Sequence, residues 1–134
     1  MRQSLGVIAL ILFVAGLSFV LSAQDQQGGR PINITLTGND PDGTGTARLT
    51  FNPGKSQVCY ELAVDKIAPA NSAHIHSGIA DQSGPPVVTL ASKGCAPLEQ
   101  EKIMDILKYP GNYYVDVHNA EFPNGALRGQ LDKK

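Results

Sequence analysis

Residues 46–64, TARLTFNPGKSQVCYELAV, carry the pattern that decides the fold. Apolar and polar residues alternate along residues 47–51 and again along residues 58–64, and the turn formers NPGKS lie between the two runs. Strict alternation is typical of a strand with one buried face, and two such runs around a short turn predict a β-hairpin. Cys59 falls on the face opposite the apolar residues of its strand.

Similar short segments occur through the rest of the chain. Strands are predicted in PINITLT (31–37), AHIH (73–76), VVTL (87–90), NYYVDVHN (112–119) and LRGQL (127–131). About seven strands separated by turn residues predict an all-β fold, an antiparallel sandwich or barrel.

One helix is expected, at residues 97–108. Pro97 suits a first helical position, and Tyr109-Pro110-Gly111 would end the helix. The preceding stretch SKGCAP (92–97) interrupts the strand pattern and is interpreted as a loop.

The first 23 residues have the features of a secretory signal peptide. Arg2 precedes an apolar run from Leu5 to Val20, and the small residues Ser22 and Ala23 follow. The alternative is a retained membrane anchor, because the run nearly reaches the roughly 18 residues that a spanning helix needs.

The sequence after the signal divides into two parts. Residues 24–30, QDQQGGR, are predicted to be a flexible lead, and residues 31–132 the single folded domain. We expect a secreted, periplasmic or cell-envelope protein that has no membrane attachment once the signal is cleaved.

Charge argues against nucleic acid as a partner. Removal of residues 1–23 takes away one of the 11 basic residues and none of the 12 acidic ones, so the mature chain is slightly acidic. Its basic residues are scattered, whereas nucleic-acid-binding domains concentrate them in a patch.

The two cysteines, Cys59 and Cys95, both lie in the predicted exported part. In an oxidising compartment an even number of cysteines indicates a disulfide, which would join the second hairpin strand to the loop before the helix. Two buried free thiols are the alternative.

Three histidines, His74, His76 and His118, form the candidate site. Residues two apart on a strand point to the same face, so His74 and His76 would lie side by side. If their strand neighbours the one that carries His118, three imidazoles converge and could bind copper or zinc. Alternatively, the histidines are polar-face residues that make backbone hydrogen bonds. Asp116 shares the face of His118 and could orient a ring as a hydrogen-bond acceptor.

The segments VCYELAV, AHIHSGIADQSGPPVVTL and NYYVDVHNAEFPNGALRGQL together resemble the CHRD domain, which occurs in chordin and in many secreted bacterial proteins. The resemblance runs from about Ile32 to Leu131. It implies an extracellular all-β domain of immunoglobulin-like or similar Greek-key type. Chordin's growth-factor antagonism is not implied, since the cysteine-rich modules of chordin are absent from this sequence.

A second resemblance concerns the layout of copper–zinc superoxide dismutases. These enzymes also combine a His-x-His strand, a later strand that ends in histidine, and an arginine near the C-terminus. The corresponding residues here are His74, His76, His118 and Arg128. A dinuclear site is excluded because three histidines are too few, so only a mononuclear copper-like site is implied.

Two classes of function remain open from the sequence. The first is a non-catalytic extracellular binding or structural module with an unidentified extracellular or envelope ligand. The second is a mononuclear copper- or zinc-binding protein, with redox activity as an option. No serine lies in a strand–turn–helix nucleophile elbow, and Arg128 is expected to be structural or to line the site.

Overall fold

The computed structural model describes residues 29–132, so the predicted signal peptide at residues 1–23 and most of the predicted lead lie outside the described residues. Within residues 29–132 the chain forms eight strands, one α-helix and two single-turn 3₁₀ helices. The strands and the helix are β1 (Ile32–Leu36), β2 (Thr44–Asn52), β3 (Gln57–Asp65), β4 (Ala70–Ser77), β5 (Pro86–Leu90), β6 (Lys93–Pro97), α1 (Gln100–Lys108), β7 (Tyr113–Asn119) and β8 (Leu127–Gln130).

The strands make two antiparallel sheets of four strands each. The first sheet has the order β1-β2-β3-β6, and the second has the order β5-β4-β7-β8. The chain changes sheet after β3, after β5 and, through α1, after β6, so β6 returns beside β3 and β7 returns beside β4. Such returns are of the Greek-key kind. The expected all-β antiparallel sandwich with one short helix is confirmed.

The hairpin of β2 and β3 forms as its sequence predicts. Leu49 pairs with Tyr60 and Phe51 with Val58, so the apolar rows of both strands lie on one face. The turn is a 3₁₀ helix, Pro53–Lys55, in which the Asn52 side chain accepts a hydrogen bond from the Lys55 backbone N–H at 3.1 Å.

The hydrophobic core lies between the inner faces of the two sheets. Both sheets contribute alternate residues, as expected for packed sheets with one apolar face each. The largest fully buried apolar side chains are Phe51, Leu36, Leu49, Ile75, Ile103, Ile106, Leu127, Leu131, Val58, Val115 and Val117.

Strand β6 was not predicted, and the loop interpretation of residues 92–97 is wrong. Lys93–Pro97 pairs with β3 at the edge of the first sheet, and Pro97 ends this strand, so it is not the first helical residue. The sequence of β6 has no apolar alternation because an edge strand can be held by backbone hydrogen bonds to its neighbour while its side chains stay largely exposed. Helix α1 starts at Gln100, three residues later than predicted.

The disulfide between Cys59 and Cys95 is present, which confirms the predicted pairing. It joins directly opposed residues of β3 and β6, two strands of one sheet, and not a strand and a loop. The sequence separation is 36 residues. Closing such a loop in the unfolded chain is worth on the order of 3–4 kcal/mol in the chain-entropy description.

Helix α1 packs its apolar stripe on the sandwich next to the β2–β3 turn. Ile103 and Ile106 are fully buried, and the Tyr113 hydroxyl at the start of β7 donates a hydrogen bond to the Asp105 carboxylate. Burial, followed by the hydrogen bond and the charge of Asp105, raises the pKa of Tyr113 to about 12.

We predict that Tyr113 makes the stability of the fold depend on pH in alkaline solution. Since its pKa rises from 10.0 to about 12 on folding, Tyr113 stabilises the fold below pH 10, and this contribution is lost as the pH rises through about 12. The phenolate absorbance of the wild type minus that of Tyr113→Phe should titrate near the upper value. Asp105→Asn should move that titration to lower pH, and an unchanged titration would contradict the assigned contact.

Candidate metal centre

The three histidines come together on the outer face of the second sheet. Strands β4 and β7 are neighbours, with His74 opposite Asp116 and Ser72 opposite His118. The ring centroids of His74 lie 5.4 Å from His76 and 5.2 Å from His118. One ring nitrogen of each histidine lies within 4.8 Å of the other two. The convergence expected from the sequence is therefore present.

Two of the rings are oriented by backbone carbonyls. Nδ1 of His76 lies 2.8 Å from the Gly84 carbonyl oxygen, and Nδ1 of His118 lies 3.0 Å from that of Pro123. A carbonyl only accepts hydrogen bonds, so Nδ1 donates in both rings, and in the neutral state Nε2 keeps its lone pair. This arrangement is typical of metal-binding histidines, whose second nitrogen donates to a carbonyl or carboxylate.

The opposite ring atoms have no hydrogen-bond partner. Nε2 of His76, Nε2 of His118 and Nδ1 of His74 are all buried and unpaired. Buried polar atoms are nearly always paired, and an exception needs an explanation such as an ion. One such nitrogen from each ring makes a set of three donor atoms of the kind that can hold a metal ion.

Burial lowers the pKa of His74, and the neighbouring His118 and His76 lower it further, while Asp116 acts in the opposite direction. A lowered pKa keeps this ring neutral into mildly acidic solution. Neutral imidazole is the form that binds a metal ion.

Asp116 lies beside the histidines and is fully buried. Its Oδ2 is 3.0 Å from Nε of Arg128 and 3.7 Å from Nε2 of His118. Burial raises the pKa of Asp116, and the charges of His118, Arg128 and His76 oppose that rise. The expected role of Asp116 as an acceptor that orients a ring stays a prediction. The Nδ1 atoms of His76 and His118 face backbone carbonyls, and the ring nitrogen near Asp116 is Nε2 of His118.

The loop of residues 78–85 is held by hydrogen bonds to Arg128 and Gln130, which lie two residues apart on β8. Arg128 Nη1 donates to the carbonyls of Ala80 at 3.1 Å and Gln82 at 3.3 Å. The Gln130 side chain accepts from the Ala80 N–H at 2.7 Å and donates to the Gly78 carbonyl at 3.1 Å. These bonds hold the loop that presents the Gly84 carbonyl to His76.

Comparison with known protein families confirms the resemblance to the CHRD domain. The family model of the CHRD domain matches residues 17–131, most of the chain. The chain belongs to the CHRD domain family. No curated protein and no solved structure matches it.

CHRD domains are of an extracellular type, and the Cys59–Cys95 disulfide agrees with a place outside the reducing cytoplasm. Between residues 29 and 132, no helix has both the length and the apolar character needed to cross a membrane.

Several parts of this CHRD site were not predicted from the sequence. Gly84 and Pro123 act through carbonyls, which every residue possesses, so no side-chain signal exists. Tyr114 stacks on His76 with centroids 5.0 Å apart, and its hydroxyl accepts the Gly84 N–H at 2.9 Å. Asn124-Gly125 is a turn signal in the sequence, and such a signal does not show which side chains pack against the turn. Gly125 has φ +119°, and a Cβ there would lie 2.5 Å from Oδ1 of Asp116.

We predict that His74 makes the metal-free CHRD domain less stable in acid. Its pKa is lowered from 6.5 on folding, so the unfolded state binds the proton more tightly, and this residue makes stability rise with pH in the window below 6.5. The slope is at most about 1.4 kcal/mol per pH unit.

The check is urea unfolding in chelator between about pH 5 and pH 7. Because the pKa of Asp116 is raised on folding, this residue makes stability fall as the pH rises above 3.8. The contribution of His74 is therefore read from the difference in stability between the wild type and the His74 variant. His74→Gln should remove the rise, whereas Ser72→Ala, on the same strand, should keep it. Equal pH dependence in His74→Gln and wild type would contradict the prediction.

Proposed function

We propose that this CHRD domain is a secreted or envelope module that binds one copper or zinc ion through His74, His76 and His118. The observation that carries the proposal is the set of three buried, unpaired ring nitrogens, one from each histidine. Two of the three rings have their other nitrogen hydrogen-bonded to a carbonyl, which leaves the lone pair of Nε2 available in the neutral ring.

The donor chemistry fits these metals. Imidazole suits both zinc and copper, and metal–nitrogen distances are about 2.0–2.1 Å. Three nitrogens around one tetrahedral ion would be separated by roughly 3.4 Å on that basis. The ring nitrogens are at most 4.8 Å apart, so binding requires each pair to approach by at most about 1.4 Å. An ion held by three imidazoles keeps a further position for water or a small ligand, and copper would add one-electron chemistry.

The chain's own residues set the surroundings of that ion. The Gly84 and Pro123 carbonyls fix the rings, and Arg128 offsets the buried charge of Asp116 at 3.0 Å. The three imidazoles would be neutral, and the charge of Asp116 is already offset by Arg128. These residues would therefore not neutralise the positive charge of a bound cation. The proposal assigns no catalytic role and no redox substrate.

The proposed location outside the cytoplasm rests on three supports. The first 23 residues have the form of a signal peptide, the family is of an extracellular type, and the two cysteines are bonded to each other. The scattered basic residues support the proposal that nucleic acid is not a partner.

The proposal predicts one tight metal site that depends on the histidines. Calorimetric titration of tag-free protein with Cu²⁺ and with Zn²⁺ should show one-to-one binding in the wild type. His76→Ala should abolish it and His118→Ala should weaken it, because each removes one of three donors. Ser72→Ala is the matched control on the same strand and should bind like the wild type.

A second measurement separates binding at this site from adventitious binding. Metal at 100 times its dissociation constant stabilises the native state by about 2.7 kcal/mol, which raises the unfolding temperature of the wild type and of Ser72→Ala. If neither metal binds the wild type, or if His76→Ala and His118→Ala bind as tightly, the histidines are a hydrogen-bonded polar cluster and not a metal site.

A further inference from the structure

The outer face of the first sheet carries a second feature, on the side of the sandwich opposite the histidines. A cleft of about 590 Å³ lies over the Cys59–Cys95 disulfide, and both cysteines line it. Three rows of paired residues cross β2, β3 and β6 here. They are Arg48–Glu61–Lys93, then Thr50–Cys59–Cys95, then Asn52–Gln57–Pro97.

The two sulfur atoms have different surroundings. Cys95 lies on the edge strand β6 and is exposed, whereas Cys59 on β3 is partly buried. The Gln57 side-chain amide donates a hydrogen bond to Sγ of Cys59 at 3.6 Å. An N–H donor at sulfur stabilises a thiolate more than a disulfide sulfur, because hydrogen bonds to charged groups are the stronger ones.

The charges around the cleft are predominantly positive. Arg48, Lys55 and Lys93 line it together with one carboxylate, Glu61, which pairs with Lys93 at 3.5 Å. Exposed disulfides are the labile ones, and reactive cysteines occur in electropositive, partly exposed surroundings.

We propose that this cleft is a site of thiol–disulfide exchange for small thiols that carry carboxylates. The thiolate of the incoming molecule attacks Sγ of Cys95, the more exposed of the two cysteines. A bond forms between the incoming sulfur and Cys95, the bond between Cys95 and Cys59 breaks, and the electron pair leaves on Sγ of Cys59. The incoming sulfur is oxidised and that of Cys59 is reduced. Gln57 donates to the leaving thiolate, and Arg48 and Lys93 attract the carboxylates.

A second equivalent of thiol completes the exchange. Its thiolate attacks the sulfur of the first thiol in the mixed disulfide, which releases the small-molecule disulfide and leaves Cys95 as a thiolate. The co-reactant is thus two molecules of thiol for each protein disulfide reduced. No step involves the histidines, so the proposal stands independently of metal binding.

The test follows the reaction of the full chain with reduced glutathione, a thiol with two carboxylates. Samples are quenched by alkylation, and peptide mass spectrometry locates the first mixed disulfide. We expect it on Cys95, at a rate proportional to glutathione concentration. A first mixed disulfide on Cys59 would overturn the proposal, and so would a rate independent of glutathione, which would mean that opening of the fold limits the reaction.

The leaving-group role of Gln57 is tested by substitution. Gln57→Ala should slow the first step about three- to tenfold, since it removes a donor to the leaving thiolate. Gln57→Glu, which keeps the length and removes the donor, should slow it at least as much. Gln100→Ala is the matched control on the exposed surface of α1 and should react like the wild type. Circular dichroism verifies that each variant is folded, and folded Gln57 variants that react at the wild-type rate would refute the assignment.

The preference for an anionic thiol is tested by comparison with neutral 2-mercaptoethanol. Rates are divided by those of the same two thiols with a small neutral reference disulfide, which corrects for intrinsic reactivity. Glutathione should then be favoured about threefold at low salt, and Arg48→Gln or about 1 M salt should remove the preference because the charges lie at the surface. Equal corrected rates at low salt would overturn the assignment of anionic thiols.

Discussion

The register between β4 and β7 is the constraint on which both the core and the candidate site depend. Ile75 pairs with Val115 and Ala73 with Val117, and these four residues form part of the core. Because successive side chains alternate between faces, the same register places the histidines on the outer face. A slip of one residue would exchange the two sets and bury imidazoles among aliphatic side chains. The hydrophobic core therefore specifies the geometry of the polar cluster.

The outer face of the second sheet is unusual in being polar and largely buried. Such a face of an antiparallel sheet is commonly solvated. Here the loop of residues 78–85 covers it, and burying polar groups costs free energy unless each finds a partner. Arg128 and Gln130 meet that requirement with loop carbonyls, and two histidines meet it through Nδ1. Three ring nitrogens have no hydrogen-bond partner, and the same holds for both carboxylate oxygens of Asp116 and for Nε of Arg128, although these two side chains form an ion pair. Buried groups of this kind cost free energy unless another contact satisfies them.

The parts of the molecule that could be predicted from the sequence are those that local pattern determines. The β2–β3 hairpin, the shared face of His74 and His76, and the pairing of two cysteines follow from alternation, spacing and number. Strand β6 could not be predicted because its pairing comes from the backbone of β3 and leaves no apolar period. The partners of the imidazoles were missed for a related reason: Gly84 and Pro123 contribute carbonyl oxygens, and only the folded loops bring those within hydrogen-bonding distance.

The outer faces of the two sheets differ chemically because their polar side chains are buried to different degrees. On the second sheet the ring nitrogens that lack a hydrogen-bond partner are buried, and they lie beside a carboxylate whose pKa is raised by burial. On the first sheet no comparable cover lies over β3 and β6 among the described residues, and the Lys93–Glu61 pair there is largely exposed. Such a pair contributes little to stability, since water and salt screen it. The Lys93–Glu61 pair on the first sheet is therefore in contact with solvent, whereas the Arg128–Asp116 pair on the second sheet is largely shielded from it.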